Sequence, residues 1–130
     1  MNNIVGVGID WGSSNLRAWA FDTKGTAVRE TKRTIGLREA RERGFATVFA
    51  DLNAQWDFAK SAPVGACGMI GAKDGWVEAP YLPCPTTSDS IQIAALHVSE
   101  INLWILPGLS NAGPSPDVMR GEETQICGAI

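Results

Sequence analysis

Apolar positions change rhythm along this chain, and each rhythm predicts its own element. Ile4 to Ile9 is a short apolar run with interspersed glycines, and it leads into the cluster Asp10-Trp11-Gly12-Ser13-Ser14-Asn15. That reads as a buried strand ending in a turn. Leu16 to Asp22 is ambiguous, because Ser13 or Ser14 has the chemistry of a helix N-cap. Against a helix, only six residues separate the polar cluster from the next turn signal, Asp22-Thr23-Lys24-Gly25. Trp19 and Phe21 also favour strand. The pattern predicts a hairpin of two strands, then a third strand from Thr26 to about Thr34. Arg29, Glu30, Lys32 and Arg33 crowd that third strand, which places it at an edge or facing water.

From Leu37 to about Ala59 the period changes. Phe45, Val48, Phe49, Leu52 and Trp56 recur at three- and four-residue spacing, the stripe of an amphipathic helix. The run Arg38, Glu39, Arg41, Glu42, Arg43 ahead of it is near-balanced in charge. It reads either as a phosphate or nucleic-acid patch or as a solvated helix entry. Pro63 to Gly71 is strand-like with embedded glycines, and Ala72 to Asp89 looks irregular. Ser88 to Val98 is compatible with a short capped helix, and Asn102 to Leu106 with a strand closed by Pro107-Gly108. Ser110 to Asp117 reads as a loop, and Asp117 or Gly121 opens a final helix. The order is three strands, helix, strand, short helix, strand, helix. That predicts an α/β layer with a mixed sheet, antiparallel hairpin strands first, then parallel strands with helices on the faces.

Composition narrows the function. At 130 residues, 45% apolar and 19% charged, the chain is sized and composed for one folded domain. The net charge of -3 argues against a strongly basic nucleic-acid binder. No apolar run approaches the length of a membrane helix, and no basic region precedes an apolar stretch at the N-terminus. The expectation is a cytoplasmic protein with neither nucleic-acid nor membrane partners. Cys67, Cys84 and Cys127 are odd in number and lack CxxC spacing, which disfavours a disulfide framework or structural zinc. His97 is the only histidine, so a histidine-based triad or two-histidine metal site has no basis here.

The segment that carries chemistry is Gly8-Ile9-Asp10-Trp11-Gly12-Ser13-Ser14-Asn15-Leu16-Arg17. A dinucleotide fingerprint needs G-x-G-x-x-G followed by a helix; the spacing here differs, and an acid inside the loop would repel a pyrophosphate. No phosphate loop of the G-x-x-x-x-G-K-[ST] type exists. A tight strand-turn-strand remains. Gly12, Ser13, Ser14 and Asn15 would present N–H groups and hydroxyls to a phosphate, and Asp10 would hold Mg²⁺ through its waters. An ordinary polar hairpin that satisfies its own turn stays open beside it.

Asp10-x-Gly12-Ser13-Ser14-x-x-Arg17 resembles the first phosphate motif of the sugar kinase, actin and Hsp70 superfamily. Further segments narrow the likeness: Gly68-Met69-Ile70-Gly71 with Gly75-Trp76, Ala79-Pro80-Tyr81-Leu82, Ile105-Leu106-Pro107-Gly108-Leu109, and Met119-Arg120-Gly121-Glu122-Glu123-Thr124-Gln125. Together they look like the 2-dehydro-3-deoxygalactonokinases, from Ile4 to Ile130. The resemblance implies a ribonuclease-H-like (actin-like ATPase) lobe and a kinase that uses MgATP to phosphorylate the 6-hydroxyl of a 2-keto-3-deoxy sugar acid. A family member has two lobes, with nucleotide and sugar acid in the cleft between them. Residues 1–130 would be the N-terminal lobe, with the C-terminal lobe missing and no catalysis expected from this lobe alone. Gln125 to Ile130 reads as a helix under way without a cap, which fits that expectation.

On this resemblance Asp10 is assigned to Mg²⁺, and Gly12, Ser13, Ser14 and Asn15 to the transferring phosphate. Arg17 either reaches a phosphate or crosses to a neighbouring strand. Glu122 and Glu123 are candidates for the base beside the sugar hydroxyl, at a helix N-terminus whose dipole favours carboxylates anyway. Gly68 and Gly71 would let backbone approach the substrate, Arg120 would pair its carboxylate, and Trp76 either walls the pocket or simply packs. Trp11, Trp19, Trp56 and Trp104 are left to the core, and His97 to a surface or structural place. Two other classes share the hairpin. One is an exopolyphosphatase-like phosphohydrolase that attacks with water, although the loop from Gly68 to Tyr81 offers a polyphosphate only Lys73. The other is a non-catalytic actin-like nucleotide-binding module.

Overall fold

Three strands come first along the chain. β1 (Gly6–Trp11), β2 (Leu16–Phe21) and β3 (Ala27–Arg33) make an antiparallel meander, with Ile9 opposite Ala18 and Ala18 opposite Thr31. The computed structural model describes residues 4–56, 62–73, 75–83, 87, 90, 95–98, 103–111 and 117–119. The second turn is fixed by Asp22, whose carboxylate accepts the N–H groups of Lys24 (2.9 Å) and Thr26 (3.0 Å). Such local side-chain bonds are what make Asp a turn residue. α1 (Leu37–Arg43) and α2 (Phe45–Trp56) follow, then β4 (Val64–Cys67) and a short 3₁₀ turn, Met69–Gly71.

β4 lies parallel to β1, with Asp10 in register with Cys67. β5 (Tyr81–Pro83) is set aside, and β6 (Leu96–Val98) and β7 (Leu103–Ile105) complete the main sheet in the order β3-β2-β1-β4-β7-β6. β4 and β7 are parallel, while β6 closes the far edge antiparallel. β8 (Gly108–Asn111) pairs with β5 in parallel and with β9 (Asp117–Met119) antiparallel, forming a second, three-stranded sheet.

Strand alternation sorts the residues between two faces. Val7, Ile9 and Trp11 stand beside Ala20, Ala18 and Leu16, and Val64, Ala66, Leu103 and Ile105 continue the same buried face. Ala40 of α1 and Val48, Phe49, Leu52 and Trp56 of α2 join them in one apolar cluster. The other face carries Asp10, Arg17, Trp19 and Trp104. β3 is an edge strand and mostly exposed, as its charge predicts.

Several expectations change. β1 runs on to Trp11, so Asp10 belongs to the strand and the turn proper is Gly12 to Asn15. The long helix is broken in two at Gly44, whose φ of 95° ends α1. Leu96–Val98 is a strand and not the end of a helix, because it pairs with β7; most of Ser88 to Ala95 lies outside the described residues. Tyr81–Pro83 and Gly108–Asn111 are strands where irregular chain or loop was expected. Asp117 sits in β9 and opens no helix, while a helix start at Gly121 lies outside the described residues. Trp104 is 39% exposed and Trp19 only partly buried, since their neighbours Leu103, Ile105, Ala18 and Ala20 occupy the core side. Among the described residues, both helices pack on one face of the main sheet.

Candidate functional site

The turn between β1 and β2 closes through the Gly12 N–H, which donates to the Asn15 carbonyl at 2.9 Å. Ser13, Ser14 and Asn15 are exposed. A second contact comes from the start of α1, where the Leu37 N–H donates to the carbonyls of both Gly12 and Ser13, each at 3.2 Å. The carbonyls of Gly12, Ser13 and Asn15 are therefore engaged. Among the described residues, no acceptor takes the N–H of Ser13, Ser14 or Asn15. A turn with most of its acceptors occupied and three of its donors open favours an anion.

Asp10 lies two residues ahead, partly buried on the face of β1 opposite the core. Its cross-strand neighbours are Arg17 on β2 and Cys67 on β4. The Cys67 thiol, in a buried residue, donates towards Asp10 Oδ1 at 3.9 Å. Directly after β4 the chain turns at Gly68 with φ 98°, and a Cβ there would lie 2.7 Å from the Trp11 carbonyl oxygen and 3.2 Å from Asp10 Oδ1. Only glycine combines that backbone conformation with that approach. Asp10, the serine turn and the Gly68 segment thus gather at the carboxyl ends of two adjacent parallel strands, where open α/β sheets place ligands.

The other expected site residues fall into three groups. Arg17 is exposed; it pairs with Glu30 of β3 at 3.9 Å and lies over the Trp19 ring at 5.4 Å. Its side chain crosses to the neighbouring strand. Gly68, Gly71 and Trp76 belong to a loop folded on itself: Ala79 N–H donates to the Gly71 carbonyl at 2.8 Å, and Trp76 N–H to that of Ile70 at 2.9 Å. Trp76 stacks on Phe45 at 5.9 Å, and Phe45 meets Trp11 edge-on at 5.7 Å. Trp76 thus packs into the core edge, and Gly68 makes an internal close approach. Arg120, Glu122 and Glu123 lie outside the described residues. His97 is exposed and stacks on Trp104 at 4.3 Å.

A hollow of about 330 Å³ opens on the α1 side of the turn, lined by Ser13, Ser14, Gly36, Arg38, Glu39 and Glu42. Two carboxylates against one guanidinium make it a poor phosphate site. Among the described residues, no cluster of three or more His, Cys, Asp or Glu exists to cage a metal. The donor set fits Mg²⁺ instead, which keeps several waters and shares itself between one or two carboxylates and substrate phosphates. Among the described residues, no helix is long and apolar enough to cross a membrane. Sequence reasoning passed over Gly36, Leu37 and Cys67, whose link to the turn and to Asp10 is made only by strand register and folding-back of α1.

Comparisons with known proteins supply the family. A family model described as 2-keto-3-deoxy-galactonokinase matches residues 10–130. The chain is 39% identical over 125 residues to the 2-dehydro-3-deoxygalactonokinase of Escherichia coli, covering 95% of this chain and 41% of that protein. It is 36% identical over 124 residues to a Rhizobium meliloti protein assigned the same name, covering 93% and 40%. A crystal structure of a Sinorhizobium meliloti protein assigned to the same enzymes superposes with a TM-score of 0.88 at 35% identity, covering 95% of this chain and 42% of that one. The chain spans about two fifths of the length of the curated relatives it matches. With the match running from Asp10 through the turn to the last residue, the chain belongs to the 2-keto-3-deoxy-galactonokinase family.

Proposed function

We propose that residues 1–130 form the N-terminal, ribonuclease-H-like lobe of a two-lobed cytoplasmic kinase. That kinase transfers the terminal phosphate of ATP to the 6-hydroxyl of 2-keto-3-deoxy-galactonate. The observation that carries this reading is the turn at Gly12 to Asn15, with three of its carbonyls engaged and three N–H groups open, two residues from a carboxylate at the strand ends. Family membership favours a kinase over a polyphosphate hydrolase or a non-catalytic module.

Phosphoryl transfer asks a protein mainly for positioning and charge neutralisation. The N–H groups of Ser13, Ser14 and Asn15, with the two serine hydroxyls, grip the transferring phosphate. Asp10 would hold Mg²⁺, which would neutralise the phosphate charge when bound. The loop that Gly68 and Trp76 pack into place, with the backbone at Gly71, borders the sugar acid, whose carboxylate pairs with Arg120. Glu122 or Glu123 takes the proton from the 6-hydroxyl as its oxygen bonds to phosphorus and ADP leaves. The second lobe, with its adenine pocket, completes the cleft.

The test is Asp10→Asn in a kinase of the relatives' full length that carries these residues. The variant keeps the shape of the side chain and loses its charge. Activity at saturating Mg²⁺ should fall by about a hundredfold or more, on the scale of losing one charge-stabilising group at a reacting centre, with the melting temperature little changed. Unchanged activity would remove Asp10 from the site.

A further inference from the structure

We infer that Gly36 and Leu37 are positioning residues for the serine turn, a backbone strap that aims its N–H groups at the phosphate; this rests on reading the turn as a phosphate grip. Gly36 makes a very close backbone approach to the turn. A Cβ there would lie 1.9 Å from the Ser13 carbonyl oxygen and 2.5 Å from Ser14 Cα. Its own dihedrals, φ -83° and ψ -171°, are extended and open to any residue. Glycine is needed here for space against the turn, and not for backbone conformation.

The Leu37 N–H, one residue on, is shared between the carbonyls of Gly12 and Ser13 at 3.2 Å each. The planar trans peptide carries the consequence across the turn. The Gly12 carbonyl shares a peptide plane with the Ser13 N–H, and the Ser13 carbonyl with the Ser14 N–H. Within each plane the two groups point in opposite directions. Drawing both carbonyls towards α1 therefore turns both N–H groups away from it, out of the acid-lined hollow and into the open. Without the strap, the two peptide planes would be free to rotate and the turn would lose its fixed set of donors. Ligand binding would then have to supply the ordering itself.

Titrating an isotope-labelled kinase of the relatives' full length that carries these residues with MgATP, while following the Ser13 and Ser14 amide resonances, tests this. Saturable shifts of both are expected. Gly36→Ala should weaken binding about tenfold, the scale of losing one or two backbone hydrogen bonds. Should Gly36→Ala fail to fold, Leu37→Pro and Leu37→Ala decide. Both lose the leucine side chain, but only proline lacks the N–H, and proline is tolerated at the first helical position after an extended residue. Leu37→Pro should bind about tenfold more weakly than Leu37→Ala at a similar melting temperature. Equal binding by the two would overturn the strap while leaving the phosphate grip standing. Amides unmoved by MgATP in the unaltered chain would overturn both.

Discussion

At the scale of single residues, glycines shape this site by where they let backbone meet backbone. Gly68 brings the end of β4 against the carbonyl of Trp11, beside Asp10, in a positive-φ conformation that other residues resist. Gly68→Ala should cost about 1–3 kcal/mol of stability, the range for a strained backbone, read from urea unfolding. An unchanged midpoint would show that the site does not need glycine there. The Asp-x-Gly-Ser-Ser pattern was legible because its residue types carry their chemistry locally. Gly68 also stood out, but for approach to a substrate, whereas the structure gives it an internal contact. Gly36 did not stand out. Before a charged run it reads as an ordinary junction, and its contact with Ser13 and Ser14 is made across more than twenty residues of chain.

At the scale of elements, the break at Gly44 is the main departure from the sequence reading. Apolar spacing continues in phase from Leu37 and Ala40 into α2, and one glycine is only a mild cost inside a helical pattern. Periodicity alone therefore merges the two helices. The φ of 95° separates them and sets Phe45 between Trp11 and Trp76, joining β1 to the loop after β4. Gly44→Ala should destabilise by about 1–2 kcal/mol, the cost of a side chain in a left-handed conformation; thermal or urea melts would show it, and a stabilised variant would mean that the break is not required. The charged run of α1 behaves as a solvated face, with Arg38 and Glu42 paired at 4.0 Å in the open, a kind of contact that contributes little. The strands of the second sheet were hidden because they are three or four residues long. That leaves too little alternation to read, and their pairing is set by distant partners.

At the scale of the whole molecule, the mixed sheet was legible from its order of elements, because a strand-helix-strand connection dictates parallel pairing. The antiparallel β6 and the second sheet were not. The parallel strands β1 and β4 bring Asp10, the serine turn and the Gly68 loop to one end, and a chain of two fifths the relatives' length matches them over nearly all of itself. The decisive measurement is ADP release from a kinase of the relatives' full length that carries these 130 residues, run over a panel of sugar acids with MgATP. ADP should appear only with 2-keto-3-deoxy-galactonate or a close relative of it. Equal ADP release with no sugar acid present would contradict a sugar-acid kinase.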